Sequence, residues 1–101
     1  MTGIFSPMGA ATVVAATGSN VAGAFTVPPN ATAVHIANTS ATLHVSVALA
    51  ESGATTTLGG SLTLPPMGHI VIGLNPRVAS VSAIGSAAGP TNVVFTPGRF
   101  G

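Results

Sequence analysis

The sequence predicts an all-β fold, an antiparallel two-sheet β-sandwich of jelly-roll type with about eight short strands. Strong helix formers are nearly absent, because the 101 residues contain one Glu, no Lys and no Gln. Thr and Val, which favour β-strands, are abundant by comparison. Glycine or proline also interrupts the chain at intervals of about eight to twelve residues, a spacing typical of sandwiches and barrels.

The first 22 residues are the least regular part of the chain, and we interpret 1–22 as an N-terminal arm or edge strand. This segment contains one candidate strand, 11–16, which follows a break at Pro7 and Gly9. A chain of this length is expected to form one domain. We therefore assign 23–101 to a single β-sandwich domain with a short C-terminal tail.

Alternation and proline predict the next three strands. The run 23–27 stops at two consecutive prolines, which cannot donate ladder hydrogen bonds and so mark a strand end. The runs 33–37 and 43–49 place apolar residues at every second position, the periodicity of a half-buried strand. A polar loop rich in Thr and Gly is predicted at 51–60.

Four more strands complete the predicted sandwich. The run 61–64 ends at two prolines, and the run 69–74 ends at an Asn-Pro pair. The run 78–84 leads into a loop that contains Gly and Pro. We expect the last strand, 92–96, to end before the Pro-Gly pair that follows it.

The segment 38–41, with the sequence Asn-Thr-Ser-Ala, predicts the turn of a β-hairpin between the strands that flank it. Asn at the first turn position can bond its own backbone. In the register that matches the apolar residues, Ile36 lies opposite Leu43. That register places His35 opposite His44 on the other face.

The sequence lacks the residues that most catalytic sites need. It has no Cys and no Asp, and Glu51 carries its single side-chain carboxylate. Catalysis by paired carboxylates or by cysteine is therefore excluded within one chain. Two facing imidazoles supply at most half of the ligands of a zinc site. We expect no enzymatic activity, no cofactor and no metal site.

Charged residues are exceptionally scarce. Glu51, Arg77 and Arg99 make up 3% of the chain, against about 25% in an average soluble domain. The net charge of +1 provides neither a basic patch for nucleic acid nor the repulsion that keeps copies apart. No uninterrupted apolar run reaches the ~18 residues of a membrane helix. We expect protein partners, including copies of the same chain, and neither nucleic acid nor a membrane.

Six residues are candidates for contacts with partner chains. Arginine is enriched at protein interfaces, and the histidine pair lies on the polar face of its predicted hairpin. Phe5 and Phe100 lie near the two chain ends outside the predicted strands, whereas Phe25 and Phe95 lie in strands and are assigned to the core. The candidates are Phe5, His35, His44, Arg77, Arg99 and Phe100.

Several turn and strand motifs resemble those of a known family. The motifs are Val27-Pro28-Pro29, Ile36-Ala37-Asn38-Thr39-Ser40-Ala41, Leu64-Pro65-Pro66-Met67-Gly68 and Thr96-Pro97-Gly98. Over roughly residues 25 to 98, the chain resembles small β-sandwich structural proteins of tailed-bacteriophage virions, of the capsid decoration or cement type. The resemblance implies a homotrimer that clamps adjacent major capsid protein subunits. It also implies synthesis in the host cytoplasm and a final location on the capsid surface.

Two alternative functions remain open. A head–tail connector or tail component would form a ring at one vertex, whereas a decoration protein would bind as trimers over the whole capsid. A carbohydrate-binding β-sandwich is the second alternative. The absence of Trp and Tyr, the side chains that usually stack on sugar rings, counts against it.

Overall fold

The computed structural model describes residues 5–7, 9–51, 53, 62–74, 77–86 and 91–100. These residues form two antiparallel β-sheets, which confirms the predicted all-β sandwich. None of them belongs to a helix long and apolar enough to cross a membrane. The predicted loop 51–60 lies outside the described residues except at positions 51 and 53. The described strands are β1 (Phe5–Pro7), β2 (Thr12–Ala16), β3 (Val21–Ala24), β4 (Ala33–Asn38), β5 (Val45–Ala50), β6 (Leu62–Leu64), β7 (His69–Gly73), β8 (Ser80–Gly85) and β9 (Thr91–Phe100).

The strand order is that of a jelly roll. Sheet A has the order β2–β9–β4–β7, and sheet B has the order β3–β8–β5–β6. The pairs nest along the chain, because β2 pairs with β9, β3 with β8, β4 with β7 and β5 with β6. Pairing of β4 with β9 and of β5 with β8 joins these pairs into the two sheets. Counted from the outermost pair inward, successive pairs lie alternately in sheet A and sheet B, which is the topology of a jelly roll.

The ninth described strand, β1, shares an edge with β2. Both pair with β9, at successive stretches of its length. Gly9 lies between them with a φ of 76°, in the left-handed region that glycine adopts at little cost. The nine described strands therefore occupy eight positions in the sandwich, because β1 and β2 share one edge position beside β9.

Apolar side chains from the inner faces of both sheets form the core. Phe25 and Phe95 are buried there, as predicted. Complete burial of a large apolar side chain contributes about 1.5–3 kcal/mol to stability. The buried cluster contains Val14, Ala16, Phe25, Ala31, Val34, Ile36, Val45, Val47, Leu64, Leu74, Val81, Ala83, Val93 and Phe95.

The predicted hairpin around 38–41 is wrong. Strand β4 pairs with β7 and β9 in sheet A, whereas β5 lies in sheet B. The segment 38–41 does turn the chain, but it carries the chain across the sandwich to the opposite sheet. The apolar residues of β4 and β5 face the same core from opposite sides, so their alternation matches although the strands do not pair.

Asn38 holds this crossover in place. The side chain is 2% exposed, and its Nδ2 donates to the carbonyls of Leu43 (2.8 Å) and Pro65 (2.9 Å). Its Oδ1 accepts a hydrogen bond from the backbone N–H of Ser40 (3.0 Å). Leu43 precedes β5 and Pro65 follows β6. One side chain of sheet A therefore satisfies backbone groups at the ends of two strands of sheet B.

The prediction that the last strand ends before Pro97 is also wrong, because β9 continues to Phe100. Pro97 lies opposite Val34. The N–H of Thr39 donates to the carbonyl of Asn92 at the end of this ladder, and the alternation of an antiparallel ladder then makes Val34 and Pro97 a non-hydrogen-bonded pair. On the other flank of β9, the register with β2 ends at Phe95 and the register with β1 begins at Gly98. The missing N–H of Pro97 therefore removes no ladder hydrogen bond.

The turn between β6 and β7 has no space for a side chain at Gly68. A Cβ atom there would lie 2.7 Å from Cδ of Pro65 and 2.8 Å from the carbonyl oxygen of Pro65. The carbonyl of Gly68 accepts a hydrogen bond from the N–H of Asn38 (2.9 Å), which ties the turn to β4. Relief of the clash would therefore disturb the adjoining strand pair.

We expect Gly68→Ala to lower the free energy of unfolding by about 1–3 kcal/mol, because overpacking at a tight contact forces the backbone to shift. Gly73→Ala is the matched control, since a Cβ atom at Gly73 would meet nothing within 4 Å. Alanine there should leave stability unchanged or slightly raised, because glycine weakens strands. Urea unfolding followed by circular dichroism measures both, and equal losses at the two positions would contradict the steric argument.

Candidate functional site

The outer face of sheet A is an uncharged surface that carries two histidines. Buried residues such as Ile36 fix the inward positions of each strand, so the alternate residues point outward. In β7, Ile70 and Ile72 pack against the core, which directs His69 outward. We call this surface the histidine face. Its members are Val13, His35, Ala37, His69, Val71, Asn92, Val94 and Thr96.

The strand registers arrange most of the histidine face in two rows across the sheet. The rows are Val13–Val94–Ala37–His69 and Thr96–His35–Val71. Val13 is 56% exposed, which is unusual for a valine in a strand. Neither row contains a charged residue. A protein that covers this surface therefore does not have to remove water from an ion.

His35 and His69 lie beside one another on the histidine face. Their ring centroids are 5.3 Å apart, with 42° between the ring planes. Backbone hydrogen bonds join Leu74 to Thr32 and Asn38 to Gly68 at the two ends of this ladder. Because bonded pairs alternate in an antiparallel ladder, His35 and Ala37 belong to non-hydrogen-bonded pairs, in which neighbouring side chains come closest. Ala37 lies opposite His69 and leaves room for the larger ring. His35 is half-buried and His69 is exposed.

The predicted pairing of His35 with His44 is wrong. His44 is exposed and precedes β5 in sheet B, whereas His35 belongs to sheet A. The N–H of His44 donates to Oγ of Ser86 (3.1 Å), and the carbonyl of His44 accepts from the N–H of Ser86 (2.9 Å). The imidazole beside His35 is that of His69, its diagonal neighbour on β7, which the predicted hairpin did not place nearby.

Three of the predicted interface residues meet at one end of sheet A. In the register of β1 with β9, Phe5 lies opposite Phe100, and Arg99 is the neighbouring residue. Both phenylalanines belong to strands, so the prediction that they lie outside strands is wrong. Arg99 is exposed. Arg77 is also exposed and lies in the turn that precedes β8.

Sequence reasoning missed His69 and Val13 as members of this surface. Alternation in 69–74 predicts that His69 points away from the core, but it does not identify the strand beside it. Val13 is one of two consecutive valines, so alternation does not decide which of the two faces solvent. The register with β9 decides it, because it aligns Val13 with Val94 and the next pair points inward.

The described residues offer little else that could carry chemistry. No three His, Asp or Glu side chains among them lie close enough to bind one metal ion together. A half-open groove of about 380 Å³ lies between residues 9–12 and Ala24, Thr26 and Pro28. It is lined by small residues without a charged or aromatic side chain, so it lacks groups that would orient a small ligand.

No protein-family model, curated protein or solved structure matches the chain. The strand order alone defines its class, an antiparallel two-sheet jelly roll. Jelly rolls serve many unrelated functions, so a function has to be inferred from the surfaces of this particular chain.

Proposed function

We propose that the chain is a non-enzymatic structural protein of a tailed-bacteriophage virion, of the capsid decoration or cement type. In this proposal it forms a homotrimer on the capsid surface and clamps adjacent subunits of the major capsid protein. The observation that carries the proposal is the uncharged, partly apolar histidine face. The jelly-roll topology is compatible with it, because viral capsid and lectin domains use this architecture.

The distribution of charge supports contact with protein across the histidine face. Removal of water from an unpaired charge costs several kcal/mol, and the centres of protein interfaces are depleted in charged residues. Glu51, Arg77 and Arg99 are all exposed, and none belongs to the histidine face. A partner can therefore cover this face without stripping water from an ion.

The size of the molecule supports a function in assembly. The principal extents are 38 × 28 × 21 Å, and a stable interface buries about 800 Å² on each partner. A contact of that size covers much of one face of so small a protein. Many modest contacts repeated over a lattice bind more tightly together than any one of them alone, which suits a protein that clamps a shell.

A clamp needs a second contact surface, and we assign it to the end of sheet A where β1 pairs with β9. That end carries two of the four phenylalanines of the chain, Phe5 and Phe100. It also carries the exposed guanidinium of Arg99, a group that pairs readily with a carboxylate of a neighbouring protein.

Imaging of virions tests the proposal directly. An antibody against the chain should label purified phage particles over the whole head, and sedimentation of the purified chain should give the mass of a trimer. Label confined to one vertex would favour the connector alternative. A chain that is monomeric at high concentration and absent from particles would overturn the proposal, and binding on a glycan array would then favour the carbohydrate-binding alternative.

We expect Val13→Glu to weaken association with neighbouring proteins at least about tenfold, since burial of a lone carboxylate costs more than the ~1.4 kcal/mol that a tenfold change represents. Val13 is exposed, so the fold should be retained. Ala22→Glu adds the same charge at an exposed position of β3 in sheet B. Weight-average mass and the number of copies retained per particle are the measurements. Equal losses in both variants would show that net charge, and not the histidine face, is responsible.

A further inference from the structure

The two imidazoles of the histidine face have the spacing of two ligands on one metal ion. A zinc–nitrogen bond of ~2.0–2.1 Å places the ion ~3.2 Å from the centre of each ring, so ring centres at a tetrahedral angle are ~5.2 Å apart. The ring centroids of His35 and His69 are 5.3 Å apart. Each imidazole has two nitrogens, so one can bind a metal while the other keeps a hydrogen bond.

Two ligands make an incomplete site. Structural zinc sites are closed by four protein ligands, and no described group of three His, Asp or Glu side chains lies together in one chain. A second copy of the same face, placed opposite by a two-fold axis, supplies two further imidazoles. Such a contact is self-complementary by symmetry, and the absence of charged residues from the face removes like-charge repulsion between the copies.

We propose that His35 and His69 form half of a tetrahedral zinc site, which closes when the histidine faces of two copies meet. The presence of a second copy depends on the self-assembly in the proposed function, whereas the pairing of His35 with His69 within one chain does not. The same face of one trimer cannot meet itself around a three-fold axis. The metal therefore links copies that belong to neighbouring trimers, across the two-fold axes between them.

Zinc binding by the full-length chain tests this inference. The chain is stripped with EDTA and dialysed, and zinc ions alone are titrated in a calorimeter while sedimentation gives the mass. We expect one zinc ion per two chains and at least a twofold rise in mass. His69→Ala should abolish both, since His69 is exposed and its loss should not affect folding. His44→Ala is the matched control, an exposed histidine of sheet B, and should behave as the wild type.

Substitution by cobalt reports the geometry independently of affinity. A tetrahedral site of four imidazoles gives strong visible absorption, whereas an octahedral hydrated ion gives weak bands. Zinc uptake that is unaffected by His69→Ala, or one ion per chain without a change in mass, would overturn the shared site. An oligomer that persists in EDTA without zinc uptake would overturn this inference while leaving the proposed function intact. A chain that stays monomeric in EDTA and is absent from particles, but dimerises with zinc through His69, would support this inference and overturn the proposed function.

Discussion

Asn38→Asp is expected to lower the free energy of unfolding by about 3–5 kcal/mol, because it leaves a buried charge with no cationic partner and a single hydrogen-bond donor. Aspartate keeps the shape of asparagine and keeps the oxygen that accepts from Ser40. The amide that donates to the carbonyls of Leu43 and Pro65 at 2.8 and 2.9 Å becomes an oxygen that faces two other oxygens. The carbonyl of Leu43 also loses this amide donor, and the carbonyl of Pro65 keeps only the N–H of Gly68 (2.8 Å).

Asn92→Asp provides the control for this substitution. Asn92 is exposed on β9, so the same chemical change in a solvated position should alter stability by less than about 0.5 kcal/mol. Urea unfolding of the two variants, followed by circular dichroism, gives the comparison. If Asn38→Asp were as stable as Asn92→Asp, the hydrogen bonds of Asn38 could not be what holds the crossover between the two sheets in place.

Phe95→Ala is expected to cost about 3–5 kcal/mol, the range for loss of a large aromatic side chain from a packed core. Phe95 has an exposed fraction of 0%, and it lies on β9, in the interior of sheet A. A small domain has only about 5–15 kcal/mol of stability in total. The substitution should therefore remove a large share of the stability and lower the melting temperature by many degrees.

Val13→Ala is the matched control for Phe95→Ala, because Val13 lies on the same sheet but is 56% exposed. We expect a change within about 0.5 kcal/mol. The chain has no Trp or Tyr, so thermal unfolding is best followed by far-ultraviolet circular dichroism. A similar melting temperature for both variants would contradict the assignment of Phe95 to the centre of the core.

The sequence predicts the class of fold because its signals are local. Proline pairs mark strand ends, and alternation shows which residues of a strand face the core. Neither signal identifies the neighbouring strand. Asn38 illustrates this limit: its turn chemistry is correctly predicted, but a turn between two strands serves equally well for a hairpin and for a crossover to the opposite sheet.

The candidate site depends on the information that local patterns lack. His35 and His69 come together only because β4 pairs with β7, and 33 residues separate the two histidines along the chain. The exposure of Val13 likewise depends on the register with β9. Pro97 shows that a local signal can also mislead. Proline usually ends a strand, but it is tolerated inside β9 because it belongs to a non-hydrogen-bonded pair with Val34.

The nesting of the strand pairs has a consequence for how the chain folds. Strand β9 is the shared neighbour of β1, β2 and β4, yet it lies about 80 residues beyond β2 in sequence. Sheet A therefore cannot be completed during synthesis before 91–100 have emerged, and folding should be slow, in the millisecond-to-second range of proteins rich in non-local pairing. Until then β2 and β4 expose unpaired edges, to which the β9 segment of a neighbouring nascent chain can bind in place of their own.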